Sequence, residues 1–412
     1  MSEADIPHFV ELPFFVNLLI LLVLARFLGE LFEHFKQPAM MGEILAGIIL
    51  GPSLFHVTNV TPELHVFSEI AVFLLVIMAG LEIDPREIKK TLIGRKIWIA
   101  ILGFFIPILS GFAVGLFFEL DTMITVFLSL CIAITALPVS VRILMDLGKL
   151  KSDIGQKIIS VAIFNDVIAL MILGIVIDLK SNKEATYSQI LWSTGESVVK
   201  VLGFLIFVII IYRLIDRATQ KVDFLKNKVD GLLKWLKGKE SLFALMFCFI
   251  LMFSSVSQSA GLHFVVGAFF GAMLITKEVL GEENFHALEK STSSITMGFL
   301  APIFFATIGL EFQINSINDP LLLIVVIMVS FASKIFGGYL GSRLSGMSHR
   351  SAWTIGIGLN ARGIMELLIA KIALEAKIID HSLFSILVIM GILTTFSTPY
   401  LLKRSFNRLE QQ

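Results

Sequence analysis

The chain is 412 residues long, 56% hydrophobic and 16% charged, with 33 basic and 33 acidic residues and a formal net charge of zero. Soluble domains are about 45–50% apolar and about 25% charged, so an ordinary water-soluble fold is excluded. No basic excess exists to attract nucleic acid, and no nucleic-acid partner is expected.

The apolar residues fall in blocks of about 18–25, long enough to cross a hydrocarbon layer of about 30 Å as helices. In chain order they predict about thirteen transmembrane helices, at roughly 11–33, 38–54, 64–82, 96–118, 122–145, 153–179, 190–214, 240–256, 260–276, 292–311, 321–341, 350–371 and 382–402. The start, MSEADIPHFVELP, is acidic and lacks the basic region and cleavage site of a signal peptide. Cys131 and Cys248 lie inside apolar runs and read as small buried hydrophobes.

Basic residues cluster in alternate loops. Arg86, Lys89, Lys90, Arg95 and Lys96 share one, and Arg213–Lys239 holds a second, larger group. Lys403, Arg404 and Arg408 follow the last span. This side is expected to be cytoplasmic, which sets the N-terminus outside and the C-terminus inside a plasma (inner) membrane. The segment VDFLKNKVDGLLKWLKGK is basic and amphipathic, and is expected along the cytoplasmic surface.

Two features recur in the same order. VFLLVIMAGLEID (Val72–Asp84) echoes PIFFATIGLEFQI (Pro302–Ile314), and GEILAGIILGPSL (Gly42–Leu54) echoes HFVVGAFFGAMLI (His263–Ile275). The expected architecture is all-α: one membrane domain built as a six-plus-six inverted-topology repeat. Repeat one covers about 11–179 and repeat two about 240–402, joined by a linker helix at about 190–214 and the amphipathic segment 215–239. No soluble regulatory domain is expected.

The fifth and twelfth spans occupy matching positions, and each carries helix breakers. Pro138 interrupts LCIAITALPVSVRIL and frees a carbonyl near Ile134 and Thr135. Gly356, Gly358 and Gly363 surround Asn360 in IGIGLNARGIMELLI. Both spans are predicted to unwind in mid-membrane, where freed carbonyls and half-helix ends coordinate a cation.

A charge in mid-membrane costs about 2.5–3.5 kcal/mol on insertion scales, so each one requires a reason. Asp166, beside Asn165, sits near the middle of the sixth span. A buried carboxylate holds either a proton or a hard cation, and Asn165 and Thr135 offer neutral oxygens beside it. Lys334 lies deep in the eleventh span, either as a partner of Asp166 or as a brace on a backbone carbonyl or another acid. Arg362 and Glu366 share a helix face four residues apart and neutralise one another. Arg142 and Lys157 are read as snorkelling, and Glu82 and Glu311 as anchors of helix ends. There is no phosphate-binding loop, HExxH or Gly-x-Ser-x-Gly, so neither ATP-driven pumping nor a familiar hydrolytic enzyme is expected. No cofactor is expected.

CIAITALPVSVRILMDLGKL, the Asn165-Asp166 pair in FNDVIAL, and LNARGIMELLIAKIAL together resemble the second monovalent cation:proton antiporter family of the sodium/hydrogen exchanger superfamily. The likeness is to the branch of the plant cation/proton exchangers, with Kef-type and bacterial sodium/proton antiporters further off. It implies two crossed discontinuous helices, a homodimer, and a core that moves like an elevator. It also implies exchange of Na⁺ or K⁺ for H⁺. In that reading Asp166 is the cation- and proton-carrying carboxylate and Asn165 its partner. Thr135 with Ala136, Leu137 and Pro138 forms one unwound stretch. Asn360 and Arg362 lie in the other, and Lys334 is the intramembrane lysine. The chain departs from electrogenic members, which carry two adjacent acids where Asn165-Asp166 stands. A sodium-coupled organic-anion symporter of similar architecture, or a sensor or channel that keeps the fold, are the alternatives.

Overall fold

The computed structural model describes residues 13–35, 37–83, 94–150, 152–180, 187–220, 239–260 and 262–410. They form helices α1 (Phe14–His34), α2 (Ala39–Leu50), α3 (Pro62–Leu81), α4 (Ile97–Phe117), α5 (Thr122–Ala133), α6 (Leu137–Asp146), α7 (Asp153–Lys180) and α8 (Tyr187–Gln220). After these come α9 (Lys239–Ser259), α10 (Phe264–Met273), α11 (Lys277–Leu280), α12 (Glu282–Ile295), α13 (Ala301–Glu311), α14 (Pro320–Leu344), α15 (His349–Gly358), α16 (Ile364–Glu375) and α17 (His381–Glu410).

Starts and stops follow local chemistry. Asp121 accepts from the Met123 N–H at 2.8 Å to open α5, and Asp319 accepts from Leu322 at 3.0 Å ahead of Pro320 in α14. Ser348 caps α15 through the Ser351 N–H at 3.3 Å. Each cap satisfies one of the amide donors that a helix leaves without an internal partner.

Among the described residues, eight helices are long and apolar enough to cross a membrane. The predicted fifth span is two half-helices, α5 and α6, and the predicted twelfth is α15 and α16. Three predictions need correction. The spans at 38–54 and 260–276 are only the short helices α2 and α10, because Gly51-Pro52 ends the first and His263 caps the second through the Val265 N–H. The span at 292–311 begins at Glu282 and passes through a π-helical turn at Thr296–Leu300. Cys131 is buried as expected, but Cys248 is exposed; in a membrane bundle the outer helix faces are apolar too. Arg86, Lys89, Lys90 and most of the amphipathic segment, 221–238, lie outside the described residues.

The chain divides into two compact units. The first holds α1, α2, the start of α3, α4 to α6, α7 as far as Val167, and the chain from Met297 onward. The second holds residues 73–87 and 168–296.

Within the first unit, Leu18, Leu21, Ala25, Ala46, Leu50, Ile303, Ala306 and Leu310 form a core between α1, α2 and α13. Gly47 and Gly309 let these backbones touch. A Cβ on Gly47 would collide with the Ala306 carbonyl, and one on Gly309 with the Ile44 carbonyl. Within the second unit, Gly80 sits likewise against the Phe269 carbonyl, with Ala272 Cβ 2.8 Å from where its own Cβ would stand. Each Gly-Leu-Glu helix thus packs through its glycine on a short helix from the other half of the sequence.

α14 is built for close approach as well. A Cβ on Gly337 would lie 2.5 Å from the Leu102 carbonyl, and one on Gly338 2.8 Å from Gly356 Cα. Small residues at this spacing bring helix backbones together in lipid, where van der Waals packing and not the hydrophobic effect joins them. The contact draws α4 and α15 onto α14 and fixes Lys334, one turn earlier, against the break in the fifth span.

Candidate functional site

All of the charged and polar residues singled out in mid-membrane fall within the first unit, and the two broken helices meet there. α5 ends at Ala133 and α6 starts at Leu137; α15 ends at Gly358 and α16 starts at Ile364. The breaks are hydrogen-bonded to each other. The Ala136 N–H donates to the Ala361 carbonyl at 2.9 Å, and the Thr135 hydroxyl donates to the Leu359 carbonyl at 2.9 Å. Gly363 permits the crossing, since a Cβ there would lie 2.7 Å from Val139 and 3.2 Å from Ala136.

Proline has a different place from the one expected. The non-helical stretch is Ile134–Ala136, and Leu137 and Pro138 begin α6. Pro138 lacks an N–H, which costs nothing in a first helical turn, so it starts the second half-helix and does not sit in the gap. In the twelfth span Asn360, Ala361 and Arg362 are in the break.

At the end of α5 the Cys131, Ile132 and Ala133 carbonyls have no intrahelical partner, and side-chain cations take all three. The Leu130 carbonyl accepts from the Ile134 N–H at 3.2 Å. Arg362 forks across the next two, with one guanidinium nitrogen on the Cys131 carbonyl and the other on the Ile132 carbonyl at 2.6 Å. The Lys334 ammonium donates to the Ala133 carbonyl, and to the Gly103 carbonyl at 3.1 Å. Two cations therefore stand at the negative end of a half-helix dipole. The protein's own cations take these three carbonyls; the carbonyls expected to be freed for a cation, near Ile134 and Thr135, are different ones. The hydrogen bonds Lys334 makes are to backbone carbonyls, as a brace would make them. Its ammonium also interacts electrostatically with Asp166, Glu366 and Arg362.

Glu366 lies 3.5 Å from Arg362, both side chains fully buried, so the expected helix-face pair is present. Its carboxylate backs onto Gly391 of α17, near enough that a Cβ there would be 3.6 Å away. Thr395 of α17 donates to the Arg362 carbonyl at 2.8 Å. Lys157, read as snorkelling, pairs with Asp153 one turn before it.

Asp166 and Asn165 are both buried in α7. The Asn165 amide donates to the Thr135 hydroxyl at 3.1 Å. That hydroxyl in turn donates to Leu359, so a chain of hydrogen bonds runs from beside Asp166 through one break into the other. The Asn165 carbonyl oxygen and the whole Asn360 amide are buried with no hydrogen-bond partner among the described residues. Buried polar atoms left this way are costly unless a ligand or water serves them. Thr135, Asn165, Asp166 and Asn360 thus supply a carboxylate and neutral oxygens of the kind a hard monovalent cation takes. Among the described residues no three His, Cys, Asp or Glu side chains come together as a metal cluster.

Sequence reasoning passed over two buried charges. Lys371 in α16 is 1% exposed and pairs with Glu311 at the end of α13, with Glu375 a further 3.3 Å away. Glu311 is therefore a partner in a buried ion pair and more than a helix-end anchor. Glu43, buried in α2, faces Arg26 at 3.9 Å. It stands inside the apolar run GEILAGIILG, where the rule that singled out Asp166 would have found it.

A family model described as "Sodium/hydrogen exchanger, transmembrane" matches residues 18–405. The chain is 30% identical to the probable Na(+)/H(+) antiporter GerT of Bacillus cereus over 95% of its own length and 99% of that protein's. It is 26% identical to the Na(+)/H(+)-K(+) antiporter GerN of Bacillus cereus, over 96% and 97% of the two chains. It is 28% identical to cation/H(+) antiporter 20 of Arabidopsis thaliana over 93% of this chain, spanning 47% of that protein. Among solved structures, the sodium proton antiporter MjNhaP1 from Methanocaldococcus jannaschii superposes with a TM-score of 0.70 at 15% identity, covering 97% and 98% of the chains. At that identity the likeness is one of fold.

Proposed function

This chain belongs to the sodium/hydrogen exchanger family and is a multi-pass membrane protein, and we propose that it exchanges Na⁺ or K⁺ for H⁺ by alternating access at Asp166. The observation that carries the reading is the crossing itself: the buried carboxylate of Asp166 follows Asn165, whose amide donates to Thr135 in one break, and Thr135 donates to Leu359 beside Asn360 in the other. The relatives named as Na(+)/H(+) and Na(+)/H(+)-K(+) antiporters support the choice of ions.

Asp166 holds a cation or a proton, not both, so the carriage of one excludes the other. An empty ionised carboxylate is expensive to move through a low-dielectric barrier. Only the loaded forms cross cheaply, and that couples the two fluxes. Asn165 carries no charge and gives its amide to Thr135, which leaves one titrating acid in the pair. Exchange is then one for one and indifferent to membrane potential. Lys334 and Arg362 hold the two breaks in place by occupying the carbonyls at the end of α5.

The matching packing of Gly47 on α13 and Gly80 on α10 supports an inverted repeat over about 11–179 and 240–402. With it go the wider expectations for this chain: a single membrane domain, a homodimer, an elevator-like core movement, a plasma-membrane location, and basic loops facing the cytoplasm. The protein acts as a transporter and not as an enzyme.

The test is proton-gradient dissipation in proteoliposomes, followed with a pH dye as Na⁺, K⁺ or Li⁺ is added, wild type beside Asp166→Asn. Cation-dependent dissipation that is lost in the variant is the expected result. No response to any of the three ions in wild type would overturn the proposal.

A further inference from the structure

α15 and the end of α17 enclose a cavity of about 840 Å³, lined by Arg350, Trp353, Ile357, Leu401, Arg404 and Arg408 among others. It lies apart from the crossing of the broken helices. Its walls are tied together by a 2.7 Å hydrogen bond between the hydroxyls of Thr354 and Ser405. Three guanidinium groups share this space, and no carboxylate lines it. Among the described residues none of the three forms an ion pair. Arg350 makes a long bond, 3.5 Å, to the Arg408 carbonyl. All three arginines are exposed, and three like charges lining one cavity make it attractive to an anion.

The rest of the wall says which anion. On α15, Arg350, Trp353 and Ile357 follow at three and four residues and share one helix face. On α17, Arg408, Arg404, Tyr400, Phe396 and Leu393 do the same in the opposite chain direction. Tyr400, Phe396, Leu393 and Trp353 are exposed apolar side chains on these faces. Trp353 stacks beside Tyr339, with ring centroids 5.2 Å apart, and such aromatic pairs mark the level of the lipid headgroups. Both helices therefore present the same order of chemistry, from cation through aromatic to aliphatic, along the direction into the hydrocarbon.

We propose that this cavity binds the phosphate of an anionic phospholipid, held by Arg350, Arg404 and Arg408, with its acyl chains along Trp353, Phe396 and Leu393. A small soluble anion would use the arginines but leave the aromatic and aliphatic stripe without a role. The lipid would clamp α15 to α17, and α15 leads directly into the break that carries Asn360 and Arg362.

The experiment uses the full chain in vesicles that contain phosphatidylglycerol or phosphatidylcholine with brominated acyl chains, which quench nearby tryptophan. The chain has four tryptophans, so the Trp353 signal is taken as wild type minus Trp353→Phe. Trp353 should be quenched more strongly by phosphatidylglycerol than by phosphatidylcholine at equal mole fraction. An arginine near an anionic lipid surface is worth about fivefold in affinity, so the preference should fall about fivefold in Arg404→Gln and roughly a hundredfold in the triple glutamine variant. The single variant keeps the test decisive if the triple one fails to fold. Lys403→Gln, a basic neighbour outside the cavity, removes only general surface attraction and should lower the preference by less than Arg404→Gln. Equal quenching by the two lipids, or a preference that survives Arg404→Gln, would overturn the proposal. Loss of the preference on adding inorganic phosphate would overturn it too, by assigning the site to a soluble anion.

Discussion

Arg362 offers a quantitative test of how the broken helices are held. Its guanidinium donates to the Cys131 and Ile132 carbonyls and faces Glu366 at 3.5 Å. A hydrogen bond to a charged group contributes about 1.5–3 kcal/mol, so Arg362→Gln forfeits roughly 3–6 kcal/mol. It also recovers the cost of placing a charge in mid-membrane, about 2.5–3.5 kcal/mol. These two terms leave a net loss of roughly 0–3 kcal/mol, and stranding buried Glu366 without its partner adds to it. Arg362→Lys keeps the charge and its cost but reaches one carbonyl where the fork reached two, and loses about 1.5–3 kcal/mol. Both variants should unfold a few degrees below wild type in detergent. Tryptophan fluorescence at one fixed scan rate is the appropriate assay, because unfolding of a large membrane protein is irreversible. If Arg362→Lys melted with wild type, charge alone would suffice and the two-carbonyl fork would be irrelevant. If Arg362→Gln did so, the account of the α5 carbonyls would be wrong.

Competition at Asp166 predicts that the apparent KM for the cation rises as pH falls, approaching about tenfold per pH unit once protons hold the site, with maximal rate unchanged; isotope uptake at a series of pH values measures this. A KM independent of pH would separate the two ions' sites. Gly47→Ala should destabilise by about 3 kcal/mol or more, since its Cβ meets the Ala306 backbone, which has nowhere to go. Gly203→Ala, with nothing within 4 Å of the new methyl, should be neutral or slightly stabilising, and thermal unfolding of the two side by side checks the packing. Lys371→Met should cost about 3–5 kcal/mol by leaving Glu311 without its cation, and Glu311→Gln less, because Lys371 keeps Glu375 at 3.3 Å. The double variant should cost less than their sum by roughly 1–3 kcal/mol; simple additivity in a double-mutant cycle would argue against a coupled pair.

Much of this site is legible in the sequence because lipid makes the rules strict. A carboxylate in FNDVIAL and a lysine in VSFASKIFGGYL stand out against apolar surroundings, and Pro138 and the glycines around Asn360 mark both breaks to within a few residues. What was not legible depends on contacts across long stretches of chain. Arg362 reads as the i,i+4 partner of Glu366, which it is, but its two carbonyl acceptors lie about 230 residues earlier. The same holds for Lys334, whose acceptors Gly103 and Ala133 belong to two other helices. Lys371 sits near the end of an apolar run, where a lysine ordinarily snorkels to water; only the fold brings Glu311 to it. Glu43 is legible by the same rule as Asp166, since it stands at the start of the apolar run GEILAGIILG. The short helices α2 and α10 were read as too long because hydropathy continues past Gly51-Pro52 and before His263, whereas backbone hydrogen bonding does not.

The measurement that goes most directly to the central claim is proton release on cation binding. Purified wild type and Asp166→Asn would be placed in weakly buffered detergent solution with a pH dye, and Na⁺, K⁺ or Li⁺ added. If cation and proton compete for one carboxylate, binding should release protons, up to about one per chain under conditions where the site starts protonated, and Asp166→Asn should release none. Cation binding without proton release in wild type across the pH range, or release that is undiminished in Asp166→Asn, would contradict the account.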